Sequence, residues 1–223
     1  MLMAALKDYQ IDAINRMKNG CILCGGVGSG KSRTALGYFR KFCEDYGKLL
    51  PLYIITTARK RDTHEWEDEC PFFNLSGFPT VDSWNNIAKY TVVKGAFFIF
   101  DEQRVVGSGV WVKSFLTIAK NNTFVLLSAT PGDKWEDYIP IFIANGFYKN
   151  RSDFITSHIV YKRFSKFQQV DYYINTGRLM RHRNDILVDM DFKRKTESVD
   201  TDVTVEYNKA KYKEIIAKLG LRR

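Results

Sequence analysis

Histidine and proline are scarce in this chain, at three and five of 223 residues, and there are only four cysteines. Cys21, Cys24, Cys43 and Cys70 build no disulfide framework in a chain of this size. Cys21 and Cys24 have C-x-x-C spacing, but no second such pair and no histidine pair completes a tetrahedral zinc set. Their place in an apolar run reads instead as small core residues. No stretch approaches the ~20 apolar residues that span a bilayer. The opening Met1-Leu2-Met3-Ala4-Ala5-Leu6-Lys7-Asp8 turns charged too soon for a signal peptide, so the expected location is cytoplasmic, with no membrane partner. Repeats and low-complexity tracts are missing too, which excludes a solenoid.

What is present is ordinary for one globular domain with an appendage: 45% hydrophobic and 26% charged residues. The net charge is +9. Residues 151–223 carry 16 Lys+Arg against 10 Asp+Glu, and residues 1–150 carry 18 against 15, so the excess gathers in the last third. Such a bias favours polyanionic partners.

The sequence Gly25-Gly26-Val27-Gly28-Ser29-Gly30-Lys31-Ser32 fits G-x-x-x-x-G-K-[ST] at every fixed position. It follows the apolar run Cys21-Ile22-Leu23-Cys24 and opens a helical stretch. A strand, a glycine-rich turn and a helix N-terminus place backbone N–H groups around a phosphate. Residues Gly26, Val27, Gly28, Ser29, Gly30, Lys31, Ser32 and Arg33 are therefore the expected cradle for ATP, with Lys31 at the β/γ-phosphates and the Ser32 hydroxyl on Mg²⁺.

Ala96-Phe97-Phe98-Ile99-Phe100 reads as a buried parallel strand ending in Asp101-Glu102. Carboxylates at such an end fall where open α/β sheets bind ligands. Asp101 is expected to hold Mg²⁺ and Glu102 to orient and deprotonate the attacking water. A further strand, Thr123 to Leu127, ends in Ser128-Ala129-Thr130-Pro131.

Taken in order, these three segments resemble motifs I, II and III of superfamily 2 helicases and translocases, most like the Swi/Snf-type branch in a small, phage-like version. Leu6-Lys7-Asp8-Tyr9-Gln10 is similar to the family's L-x-x-Y-Q segment, which implies that Gln10 reads the adenine edge. Leu52-Tyr53-Ile54-Ile55-Thr56-Thr57-Ala58-Arg59-Lys60, with Trp66 and Glu67 beyond, looks like motif Ia, and Val81-Asp82-Ser83-Trp84 stands where motif Ib is expected. By that resemblance Thr56, Thr57, Arg59, Lys60, Arg61 and Ser83 track a nucleic-acid backbone, and their hydroxyls and cations suit phosphate contacts. Arg104, Ser128 and Thr130 would couple nucleotide state to the grip on DNA. Similarity continues through Asp133–Tyr138, Asn145–Tyr148 and Leu179-Met180-Arg181-His182-Arg183-Asn184-Asp185-Ile186-Leu187. It then extends to Lys195-Thr196-Glu197 and Thr204–Tyr207 at the entry to a second motor lobe.

Two departures stand out. Motif II reads Asp101-Glu102-Gln103-Arg104 rather than D-E-A-H or D-E-A-D. Motifs IV to VI, including the arginine finger, have no counterpart. The expectation is a weak ATPase that needs a second RecA-like lobe, from the parent chain or a partner protein.

The coarse pattern alternates helices (6–18, 31–45, 60–69, 83–90, 109–120, 134–144) with strands (20–24, 51–57, 96–100, 123–128), the sign of a parallel sheet. The expected fold is α/β: a RecA-like P-loop NTPase domain with a parallel central sheet and helices on both faces. Its expected domains are an ATP-binding lobe over 1–150, a basic, aromatic extension over 151–200, and over 201–223 the start of a linker or second lobe, with a short helix over Lys209–Leu219. The aromatics of Ser152–Asn175 fit either nucleic-acid stacking or a small core. The leading functional reading is the first lobe of an ATP-driven DNA translocase or helicase, acting on double- or single-stranded DNA. A DNA-packaging type of P-loop ATPase and a non-hydrolysing, ATP-gated DNA-binding module are the alternatives.

Overall fold

A computed structural model describes residues 6–102, 105–164, 167, 169–192, 208 and 210–212. Arg104, the segments 195–197 and 204–207, and most of the expected helix over Lys209–Leu219 lie outside the described residues. Contacts divide the chain after Phe192 into two units. Of the second, Ala210, Lys211 and Tyr212 are helical.

The first unit runs α1 (Asp8–Arg16), β1 (Ile22–Cys24), α2 (Lys31–Tyr46), β2 (Leu52–Thr56), α3 (Ala58–Asp62), β3 (Thr80–Ser83), β4 (Phe97–Phe100), α4 (Val110–Ala119) and β5 (Thr123–Ser128). It continues with α5 (Ile139–Ala144), α6 (Arg151–His158), β6 (Ile159–Tyr161), β7 (Val170–Tyr173), α7 (Thr176–Ile186) and β8 (Leu187–Asp189). Six strands form one sheet in the order β3-β2-β4-β5-β1-β8, every pair parallel. The hairpin β6–β7 is separate and antiparallel. The expected α/β fold with a parallel central sheet is therefore present.

The alternation of side chains along a strand explains the two-layer core. On β4, Phe97 and Ile99 join the cluster under α1 and α2, while Phe98 and Phe100 join the cluster with α4, α5 and α7 on the opposite face. All four are fully buried, so a continuous apolar run is what this strand requires. On the first face α1 and α2 approach closely at Gly37, where a Cβ would come within 2.8 Å of Ile14 Cδ1.

Where local pattern and structure differ, the cause is local. The helix expected over 60–69 stops at Asp62, because His64 takes a left-handed conformation (φ 54°). Instead of a regular α-helix, Trp84–Tyr90 is a 3-10 helix. The expected 134–144 helix divides into a 3-10 turn, Trp135–Tyr138, and α5, whose first turn holds Pro140, a residue with no N–H to donate to an earlier carbonyl. Within 152–175, Tyr161 and Tyr173 pack against the core, whereas Phe164 and Tyr172 are exposed. No helix among the described residues is long and apolar enough to cross a membrane.

Candidate functional site

The carboxyl ends of β4, β5 and β1 are neighbours in the sheet, and the three sequence motifs follow those three strands. Together they line one cleft of about 590 Å³, with Val27, Gly28, Gly30, Lys31 and Ser32 on one side, Asp101 and Glu102 on another, and Ser128 and Thr130 between. Lys60, Glu65 and Glu69 add to the wall.

The loop after β1 is shaped by its glycines. Gly28 and Gly30 have φ of 81° and 78°, and Gly30 is the N-cap of α2, so Lys31 and Ser32 open the helix. Gly30 also meets a neighbour: a Cβ there would lie 2.5 Å from Gln10 Nε2. Gln10 Nε2 donates to the Gly30 carbonyl (3.2 Å), and its Oε1 accepts from the Lys7 N–H (2.9 Å). The adjacent Tyr9 hydroxyl donates to the Ser29 carbonyl (3.0 Å). Gln10 is 3% exposed and both ends of its amide are engaged. In this structure it braces the loop, with one N–H and one carbonyl lone pair of the amide left over. Ser29 is likewise fully buried, with a hydroxyl that finds no partner among the described residues. Arg33 is paired with Glu69 (2.7 Å), a residue of the cleft wall, and lies over the Phe72 ring.

Lys31 Nζ donates to the Gly25 and Gly26 carbonyls (2.6 and 3.1 Å), folded back over its own loop. Burial lowers its pKa, Asp101 opposes that shift, and Lys60 adds to it. An anion in the loop would be a stronger partner than neutral carbonyls.

Asp101 is the most heavily bonded group of the site. It is 1% exposed. Its Oδ2 accepts from Thr56 Oγ1 (2.9 Å), Lys60 Nζ (2.9 Å) and Trp66 Nε1 (3.2 Å), and its Oδ1 accepts from the Glu102 N–H (2.9 Å). Lys60 also pairs with Glu102 Oε1 at 3.1 Å. Burial alone would lower the Lys60 pKa, but Asp101 and then Glu102 outweigh it and raise the value. Glu102 is one of four non-glycine residues with positive φ among the described residues, at 50°. Such a conformation occurs where a fold over-determines a position, commonly at functional sites.

Two residues expected on a nucleic-acid backbone bond Asp101 in this structure. Thr56 is fully buried against Asp101, and Lys60 lines the cleft. The register of β2 with β4, Ile55 opposite Phe100, brings Thr56 to the Asp101 level. Ser83 is 2% exposed, and Arg61 donates to both its hydroxyl and Asp82 (3.3 Å each). Arg59 is exposed, and Thr57 caps α3 by accepting from the Lys60 N–H. Thr57 and Ser83 line a second, smaller groove of about 190 Å³ with Trp84 and Trp111. Beside the first cleft, the Ser128 hydroxyl accepts from the Thr130 N–H (3.1 Å), tightening that strand end. The role of Trp66 escaped sequence reasoning, because nothing local announces a bond that spans 35 residues.

The oxygens that face the cleft, from Asp101, Glu102 and Ser32, are hard donors that suit Mg²⁺. Among the described residues no group of three or more His, Cys, Asp or Glu side chains forms a metal cage. A cation here would therefore draw further ligands from phosphates and water, the usual habit of Mg²⁺.

No protein-family model matches the sequence, and no curated protein matches it. Among solved structures, the Sulfolobus solfataricus SWI2/SNF2 ATPase core in complex with double-stranded DNA matches with a TM-score of 0.65 at 15% identity. That match covers 82% of this chain and 44% of the other. The Pyrococcus furiosus Hef helicase domain gives a TM-score of 0.46 at 14% identity, over 72% of this chain and 42% of its own. The chain spans less than half the length of either. At such identity the first of these likenesses speaks to fold alone, and it places the chain's architecture with the RecA-like sheet of that ATPase core.

Proposed function

We propose that this chain is the ATP-binding lobe of a superfamily 2, Swi/Snf-type DNA translocase or helicase. The observation that carries the reading is the convergence of Lys31-Ser32, Asp101-Glu102 and Ser128–Thr130 on one cleft at the ends of three adjacent parallel strands. Backbone N–H groups at the start of α2 and the Lys31 ammonium would hold the phosphates. Ser32 and Asp101 would hold Mg²⁺, which supplies charge neutralisation for the β- and γ-phosphate oxygens. Glu102, at the mouth of the cleft, would orient the attacking water and take its proton. Ser128 and Thr130 lie between loop and carboxylates, where a change at the phosphates moves the β5 end. DNA is the proposed partner, supported by the basic charge and by the double-stranded DNA named in the structural neighbour. A second lobe would supply the remaining cation, worth ~10³–10⁵ in turnover in related phosphoryl-transfer enzymes.

The test is ATP binding and turnover with and without double-stranded DNA, beside Lys31→Ala and Glu102→Gln. The expected result is Mg-ATP binding with slow, DNA-stimulated hydrolysis, binding lost in the first variant and turnover lost in the second. A wild-type chain that binds no ATP refutes the reading.

A further inference from the structure

Helix α3 separates the phosphate cleft from the smaller groove. Lys60 lines the first and Thr57 the second. The Lys60 ammonium reaches the same oxygen of Asp101 that Thr56 and Trp66 already use. A carboxylate oxygen has about two lone-pair sites, so three donors leave Oδ2 nothing to offer a further ligand. Oδ1 accepts one bond, from the Glu102 N–H, and keeps one lone pair. A cation that seeks Asp101 must therefore displace a donor from Oδ2, or take the lone pair left on Oδ1 against the repulsion of the Lys60 ammonium on the same carboxylate.

The three donors on Oδ2 are unequal. Thr56 and Trp66 are 0% and 1% exposed, fixed in the sheet and the core. The Lys60 side chain is 24% exposed on a flexible four-carbon stem at the cleft wall. It also carries the charge that a buried carboxylate demands, since removing one member of such a pair strands the other. Lys60 is thus the charged donor of the three and the only one of them with a way out.

We infer that Lys60 is a positioning residue: its ammonium keeps the divalent-cation place on Asp101 and yields it when nucleotide and Mg²⁺ enter. The inference rests on the nucleotide-site reading above. Its consequence is a direct link between the cleft and α3, whose N-cap lines the neighbouring groove. A positive charge leaves Asp101 and becomes available to the phosphates at the moment the site fills.

The test is a MgCl₂ titration of binding of the fluorescent nucleotide mant-ADP to wild type, Lys60→Ala, Lys60→Gln and Lys60→Arg, with thermal melts to verify folding. Removing the competitor lowers the Mg²⁺ concentration for half-maximal binding in the alanine and glutamine variants. A fall of about tenfold is expected, mid-range for directly coupled charges. Lys60→Arg, which keeps the charge, stays near wild type. An unchanged or higher midpoint overturns the inference. So does weaker mant-ADP binding at saturating Mg²⁺ with the midpoint fixed, which would make Lys60 a direct phosphate ligand. Loss of folding in both uncharged variants also overturns it, because an exchangeable partner cannot be a structural requirement. If wild type binds no mant-ADP at any Mg²⁺ concentration, the nucleotide-site reading itself falls, and this failure is distinct from the others.

Discussion

The contact between Gly30 and Gln10 gives a stability prediction whose size follows from two separable costs. In Gly30→Ala the backbone must hold φ near 78° with a Cβ present, which costs about 1–2 kcal/mol. The new Cβ also falls 2.5 Å from Gln10 Nε2, so the buried amide must move and release its bonds to Gly30 and Lys7. Two such bonds are worth about 1–3 kcal/mol together. The single substitution should cost about 2–5 kcal/mol. In a Gln10→Ala background the amide is already gone, and the same change should cost only the conformational part, about 1–2 kcal/mol. Urea unfolding of the four proteins, followed by tryptophan fluorescence, measures the difference as a coupling of about 1–3 kcal/mol. Gly30→Ala costs that agree within about 0.5 kcal/mol in the two backgrounds would refute the brace between α1 and the phosphate loop.

Two further outcomes are expected. His182 stacks on Phe147 (4.2 Å between centroids), and burial, Arg178 and His158 lower its pKa below the ordinary 6.5. In the window between that lowered value and 6.5 the unfolded chain binds more protons, so stability is lost as pH falls through it. Melting temperature should therefore drop between pH 7.5 and 5.5, and His182→Phe, which keeps the stack, should flatten the slope; an unchanged slope refutes the assignment. Burial also pushes the thiols of Cys21 and Cys70 up to about 11. At pH 7.5 iodoacetamide should modify them on the order of a hundredfold more slowly than a free cysteine, with ordinary reactivity restored in guanidinium. Rapid labelling of either in the native protein would contradict their burial.

The glycine-rich turn between β1 and α2 was readable because its signal is local: glycines at fixed spacing, a strand before and a helix after. Phe97–Phe100 and Asp101-Glu102 were readable for the same reason, since a fully buried strand needs a continuous apolar run and its end needs polar residues. What stayed hidden depends on distant register. Thr56 and Lys60 resemble nucleic-acid contacts in sequence; in the structure the register of β2 with β4 brings Thr56 to Asp101, and Lys60 reaches the same oxygen from α3. Gln10 looks like an exposed helix residue until α1 is laid against the loop. Strands β6 and β8 have three residues each and β7 four, too few to show a period.

Strand β8 closes the sheet beside β1, with Leu187, Val188 and Asp189 opposite Ile22, Leu23 and Cys24. Arg16 fastens the junction by donating to the Asp189 carbonyl (2.7 Å), 173 residues away in sequence. During synthesis, then, the strand that carries the phosphate loop emerges early and waits for its outer neighbour. At ordinary elongation rates that wait is about 10–30 s. Until it ends, Ile22-Leu23-Cys24 is an unprotected apolar border, the kind that recruits a foreign strand. A nascent chain of this design can acquire its glycine-rich loop long before it acquires protection from its neighbours on the ribosome. Early capture of that border by a chaperone would then matter as much to yield as any contact in the finished cleft.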